Sequence, residues 1–308
     1  MKAVRIHEYG DLSVLRYEDA PMPELRENDV LVRIHSAAVN PVDWQTRIGN
    51  RPEAEYPLPL IVGWDFAGTI ESLGRASTTF AVGDQVYARP DISRDGTYAE
   101  YIAVDASEIA KVPRTVPLEV AASIPLCSLT AWRALFDHGG LSESQTVLIH
   151  AAAGGVGIFA IQLARLAGAH VVATASKDGL DLAASLGADE VIDYTCEDFT
   201  VRGRFADVVL DSVGDDTLRR SFQVVKPGGI VVSICAGPDP RLAAKHEARG
   251  ELSIVRPNAE RLAKIAEMVD AGQLRSVVTR EFPLAEAAAA QEISQTRRTR
   301  GKIVLRVS

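Results

Sequence analysis

The 308 residues hold only three cysteines, Cys127, Cys196 and Cys235, far apart and without the two-residue spacings of zinc ribbons and redox motifs. A disulfide framework and a cysteine-rich metal lobe are thereby excluded. Positive charge is also short. The 33 Lys and Arg against 41 Asp and Glu leave a net charge of −8, the wrong sign for neutralising phosphates, so no nucleic-acid partner is expected. No long uninterrupted apolar run occurs. The stretch 147–164 comes nearest, but it includes His150, Gln162 and a Gly-rich turn, so it reads as strand, turn and helix rather than a membrane span. The opening MKAVRIHEYGDL has no apolar signal core, which predicts a reducing, cytoplasmic location.

What is present is an ordinary globular composition at about twice the usual ~150 residues per domain, which predicts two domains. Up to about residue 118, short apolar runs such as VLVRIHSAAVN (30–40), FAGTIESLG (66–74), GDQVYA (83–88) and YAEYIAV (98–104) alternate with Gly, Asp and Asn turns, an all-β rhythm. From about 119 the pattern changes. A helix over 119–139 leads into strands at 146–150, 170–175, 190–193, 206–213 and 229–234 with helical stretches between most of them, and SIVRP (253–257) reads as a further strand. Repeated βα units of this length imply a parallel, doubly wound sheet. A helix over 258–272 with Leu262, Ile265, Ala266 and Val269 on one face follows. The tail offers strand, helix and strand, too little for its own core, and is expected to pack back on the β-rich first part.

The segment TVLIHAAAGGVGIFAIQLARLAGAHVVATAS (146–176) is strand, Gly-rich turn, helix and second strand, the frame of a dinucleotide-binding unit. Ala152, Gly154 and Gly157 fall at the three positions that need a tight turn, close approach to a pyrophosphate and close helix packing. Gly155 and Val156 complete the turn. Helix-start amides, carrying partial positive charge, would hold the pyrophosphate. The alternative is that small residues merely let the helix pack closely. After the second strand, where an acidic side chain would bind the ribose of NAD, stand Ser176 and Lys177. A hydroxyl and an ammonium suit the 2′-phosphate of NADP, although Asp178 could pair with Lys177, and Ser176 or Asp178 could simply cap the next helix.

Taken together, MKAVRIHEYG, AAVNPVDW around Asn40, GWDFAGTIESLG, GDQVYA, GTYAEYIAV, IPLCSLTAW, AAAGGVG, LGADEVIDY, DVVLDSVG, KPGGIVVSI, VRPN and RGKIVLRV occur in the order found in one family. The chain resembles the medium-chain dehydrogenase/reductases, in particular their zinc-independent NADPH:quinone oxidoreductase branch that includes zeta-crystallin. The resemblance implies an α/β protein with a GroES-like β-rich domain (1–118 and 274–308) for substrate and a Rossmann doubly wound parallel sheet (119–273) for NADP. The active site is expected in their cleft, and the chain is expected to form a homodimer through the edges of its Rossmann sheets near Leu252–Val255.

In zinc-containing members, ligands occupy the places of Asn40 and Trp64, so no metal is expected, and His35 and His150 read as structural. Hydride delivery from NADPH to an already electrophilic small molecule, a quinone or α,β-unsaturated carbonyl, needs no Lewis acid. By resemblance, Asn40, Asp43 and Thr130 stand beside the nicotinamide and substrate as catalytic residues, with Trp44, Trp64 and Asp65 at the substrate pocket. Both tryptophans equally fit a core role, and Asp65 a tie between loops. Lys177 and Tyr194 match positions near the 2′-phosphate, while Val213, Gly214, Ser233 and Ile234 follow the fourth and fifth strands. Enoyl thioester reductases carry an acid tyrosine at a Gly-x-Tyr site, which here is Gly49-Asn50-Arg51 with Tyr56 out of register. Reduction of enoyl thioesters or 2-alkenals, and a non-catalytic NADPH-binding role in sensing or structure, are the alternatives.

Overall fold

The structure is a computed structural model that describes residues 1–50, 57–76 and 79–307. The chain divides into two compact units, Met1–Leu126 with Arg256–Gly272 and Ser276–Ser308, and Cys127–Val255 with Gln273–Arg275.

The first unit is β-rich. Strands β1 (Lys2–Ile6), β2 (Arg16–Asp19), β3 (Asp29–Val39), β4 (Leu60–Ile61), β5 (Phe66–Leu73), β6 (Gln85–Ala88), β7 (Tyr101–Asp105) and β8 (Ala110–Lys111) belong to it. The eleven-residue β3 organises them, pairing antiparallel with β5 and β7. Its side chains alternate as strand geometry requires: Val30, Val32 and Ile34 are wholly buried with Phe66, Ile70 and Val86, while Arg33 and His35 are half-buried on the other face.

The second unit holds β9 (Thr146–Ile149), β10 (His170–Ala175), β11 (Glu190–Asp193), β12 (Ala206–Asp211), β13 (Val225–Ser233) and β14 (Arg249–Leu252), all parallel and in the order β11-β10-β9-β12-β13-β14. Val147, Leu148, Ile149, Val209 and Val231 are fully buried, the near-continuous apolar run of strands covered on both faces. The order reverses between β9 and β12, and ligands bind such sheets outside the carboxyl ends of the strands at that reversal.

Two strands close the chain, β15 (Val278–Pro283) and β16 (Lys302–Arg306). β16 pairs antiparallel with β3, so the tail does return to the β-rich unit.

Three expectations change. The sixth parallel strand is Arg249–Leu252, not 253–257. The expected helix over 119–139 is three pieces, Leu118–Ala121, Pro125–Trp132 and a π-helical turn over Arg133–His138. Pro125, which has no N–H to donate, starts the second piece. The helix Ala259–Asp270 buries the expected face of Leu262, Ile265, Ala266 and Val269, but it groups with the β-rich unit rather than the Rossmann sheet. There the Tyr87 hydroxyl donates to the Leu262 carbonyl at 2.7 Å, and the Thr115 N–H and hydroxyl donate to Asp270.

Candidate active site

In the parallel sheet, the residues expected to hold a dinucleotide all lie at or just after the carboxyl ends of strands. Ala152, Gly154, Gly155, Val156 and Gly157 follow β9, Ser176 and Lys177 follow β10, Tyr194 follows β11, Val213 and Gly214 follow β12, and Ser233 and Ile234 close β13. Gly154 is the residue before the first turn of helix Gly155–Leu166, with extended backbone. A Cβ on Gly157 would lie 2.5 Å from the Ala152 carbonyl oxygen, so only glycine lets this helix sit against the turn. At Gly154 a Cβ would meet only the Ala151 oxygen at 3.2 Å, leaving the outer side of the turn open for a phosphate to approach. Ser176 precedes helix Lys177–Ser185 without a side-chain capping bond, Lys177 is exposed, and Tyr194 is 57% exposed. These groups fit a 2′-phosphorylated dinucleotide: amides at a helix start, a glycine cradle and an accessible cation.

His150 lies under this surface and is structural. Its Nε2 is 3.1 Å from the Ser221 hydroxyl, which itself donates to the Thr217 carbonyl, so Nε2 carries the hydrogen and Nδ1 accepts from Thr174 at 3.0 Å. Burial, with some help from Arg220, pushes its pKa down to about 3 and keeps it neutral.

In the β-rich unit a second group of polar side chains is buried. Asn40 precedes helix Pro41–Arg47, where the Asp43 carboxylate reaches back to its backbone N–H at 2.8 Å, the return half of a capping box. The Asn40 side chain has further partners. Its Nδ2 donates to Asp65 at 2.9 Å and to the Ala38 carbonyl at 3.3 Å, and its Oδ1 accepts from the Lys302 ammonium at 2.5 Å. Asp65 also accepts from the Leu126 N–H at 2.8 Å. Asp43 accepts from the Tyr98 hydroxyl at 2.8 Å, while its other oxygen, Oδ1, is buried with no hydrogen-bond partner. Burial dominates both acids. It pushes Asp43 up to about 7 against the hydrogen bonds from Asn40 and Tyr98, and Asp65 up to about 6 against Lys302 and Asn40.

Trp64 is wholly buried in the apolar cluster of Ala3, Ile6, Val62 and Tyr98, and Trp44 is 5% exposed with the Arg297 guanidinium 5.8 Å from its ring centre. Both are packed as core aromatics, and Asp65 ties strand, loop and helix. Thr130 lies in helix Pro125–Trp132 of the second unit, 5% exposed. Tyr56 and Arg51 lie outside the described residues. His35 sits 3.3 Å from the Thr69 hydroxyl. Among the described residues no group of three or more His, Cys, Asp or Glu is placed to hold a metal ion, and no helix is long and apolar enough to cross a membrane.

Neither Lys302 nor Asp211, a buried carboxylate at the end of β12, belongs to a motif that marks it in the sequence. The available signal was a charge inside an otherwise apolar strand run, GKIVLRV and DVVLDSVG.

Residues 26–114 match the alcohol dehydrogenase GroES-like domain and residues 186–305 the zinc-binding dehydrogenase domain. The chain is 34% identical to the NADPH-dependent alkenal/one oxidoreductase, chloroplastic, of Arabidopsis thaliana, over 99% of this chain and 79% of that protein. Among solved structures, a quinone oxidoreductase from Coxiella burnetii is 34% identical with a TM-score of 0.94, covering 100% of this chain and 99% of the other. A mycobacterial protein solved in complex with NADPH is 31% identical with a TM-score of 0.89, covering both chains in full. The chain belongs to the medium-chain dehydrogenase/reductase superfamily, and it is an oxidoreductase with a GroES-like part and a Rossmann-type parallel sheet.

The zinc of the matched family's name does not fit the residues found here. Asn40 already presents its oxygen to a buried ammonium, and Trp64 offers only an indole within an apolar core. No step is assigned to a metal.

Proposed function

We propose that this chain reduces quinones or α,β-unsaturated carbonyls with NADPH and without zinc. The observation that carries the reading is the end of β10, where half-buried Ser176 and exposed Lys177 stand in place of an acidic ribose-binding side chain. The names of the Arabidopsis and Coxiella relatives support the acceptor class, and the relative solved with NADPH supports the cofactor. NADPH, when bound, supplies a hydride.

The chain's own residues bind and orient. Amides from Gly154 to Gly157 hold the pyrophosphate, Ser176, Lys177 and Tyr194 flank the 2′-phosphate, and Val213, Gly214, Ser233 and Ile234 line the rest of the crevice. Asn40, Asp43 and Thr130 are assigned to the reacting end, and the buried Trp44, Trp64 and Asp65 to the support behind the substrate pocket. Both amide hydrogens and the oxygen of Asn40 are engaged, so its part is to hold the loop in shape rather than deliver a proton. A quinone or enone is electrophilic enough to accept hydride without a Lewis acid and can take its proton from water.

The domain roles follow: substrate in the GroES-like part, cofactor in the Rossmann part. A homodimer is assigned through β14, which pairs only with β13 among the described residues and is followed by Ile254, 48% exposed. The three cysteines, none of them in a disulfide, suit a reducing, cytoplasmic location.

The experiment is NADPH consumption with a panel of quinones, enones, 2-alkenals and enoyl thioesters, repeated with NADH and with a chelator. Turnover of quinones or enones that prefers NADPH and survives the chelator is expected. Tight NADPH binding with no turnover of any acceptor would favour the sensing or structural role instead. Light scattering at twice the chain mass checks the dimer.

A further inference from the structure

Asp211, fully buried at the end of β12, gathers the loops that follow two neighbouring strands. Its Oδ1 accepts from the backbone N–H of Val213 at 3.2 Å and of Gly214 at 3.0 Å, and its Oδ2 accepts from the Ser233 hydroxyl at 2.8 Å. Ser233 Oγ in turn accepts from the N–H of Cys235 at 3.1 Å and of Ala236 at 3.3 Å. Two lone pairs are thus occupied, and the single hydroxyl hydrogen of Ser233 must go to Asp211. Next to it, the Ser212 hydroxyl donates to the His150 carbonyl at 2.8 Å, tying the same loop to the end of β9.

The turn held this way does not hold itself. Gly214 has φ +84° and Asp215 φ +48°, the second a strained value for a residue with a side chain. The loop it shapes presents Val213, 40% exposed, at the sheet's ligand-binding edge. In a doubly wound sheet the two mononucleotide halves of a dinucleotide lie on opposite sides of the strand-order reversal. Lys177 follows β10 on one side, whereas the loops held by Asp211 follow β12 and β13 on the other.

We infer that Asp211 is a positioning residue that shapes the β12 and β13 loops for the nicotinamide half of the dinucleotide, leaving the adenosine half to the β9 and β10 loops. The inference rests on the NADP reading above. Only a carboxylate serves here. An asparagine would turn its NH₂ either toward the Ser233 hydroxyl hydrogen or toward the Gly214 N–H, donor against donor in both orientations.

Asp211→Asn is therefore tested with two probes on the same protein, NADPH and adenosine 2′,5′-bisphosphate, which carries the adenosine half alone. NADPH affinity should fall about 10-fold or more, while the bisphosphate affinity stays within about 2-fold of wild type. Ser233→Ala is the milder second variant and should show the same split at smaller amplitude, so the test stands even if Asp211→Asn does not fold. Equal weakening of both probes, or no weakening of NADPH, in a folded variant would overturn the positioning role. Wild-type protein that binds neither probe would instead overturn the cofactor reading itself.

Discussion

The Lys302 ammonium lies 3.5 Å from the Asp65 carboxylate, with both side chains essentially without solvent, although 237 residues separate them. Removing one partner of such a pair strands the other charge in the interior, which costs ~3–5 kcal/mol. Lys302→Met should lose stability on that scale in urea unfolding. The double variant Lys302→Met with Asp65→Asn should lie closer to wild type than Lys302→Met alone, because no uncompensated charge remains. Additive losses would show that the two side chains are not coupled.

Asp43 sets a pH dependence. Its folded pKa, pushed up to about 7 by burial, exceeds the ordinary value of 3.8. Below about pH 4 both folded and unfolded chains hold the proton, and the group is neutral for stability. Between about pH 4 and 7 the unfolded chain releases it first, so stability falls as pH rises, by ~4 kcal/mol in all. Asp43→Asn keeps an acceptor for Asn40 and Tyr98 and puts its NH₂ where Oδ1 has no partner. The variant should match wild type near pH 4 and exceed it increasingly up to pH 8 in thermal unfolding. A gap that stays constant with pH would contradict the shift.

Gly157→Ala should destabilise the Rossmann unit by ~1–3 kcal/mol, since the added methyl would sit 2.5 Å from the Ala152 oxygen and the helix must move away. That movement also carries off the amides assigned to the pyrophosphate, so NADPH binding should weaken with it. Calorimetry and a cofactor titration on the same preparation check both effects. An unchanged unfolding temperature would refute the packing argument.

Lys177→Ala should weaken NADPH about 10- to 150-fold, the range for one lost charge-assisted hydrogen bond, with NADH little changed. Fluorescence titration of both cofactors measures it. Parallel weakening of NADH would remove Lys177 from recognition of the 2′-phosphate.

The Rossmann turn, the helix face of Leu262, Ile265, Ala266 and Val269, and the structural character of His150 were all legible in the order of residues. Each depends on a local pattern: a glycine three places after another, apolar residues three and four apart, a histidine at the end of an apolar strand run. Local periodicity is set by backbone geometry and needs no knowledge of distant segments. Sequence pattern alone puts the sixth strand a few residues late, because Arg249–Leu252 is half polar at a sheet edge, whereas the following SIVRP is the more β-like run.

The partners of Asn40 could not be read this way. Its position before Pro41 predicts a helix cap, and Asp43 does join it in a capping box, yet the side chain also reaches Asp65 and Lys302. That choice depends on β16 returning from the end of the chain to pair with β3, which brings an ammonium under an amide 262 residues away in sequence. The same holds for Asp211 and Ser233, joined only because β12 and β13 are neighbours in the sheet. Elements, their sequence and the Gly-rich turn follow from the chain's local chemistry. Which buried charges meet, and therefore which hydrogen bonds each polar side chain has left to offer, is decided by long-range strand pairing, because a buried polar group takes whatever partner the fold brings within about 3 Å.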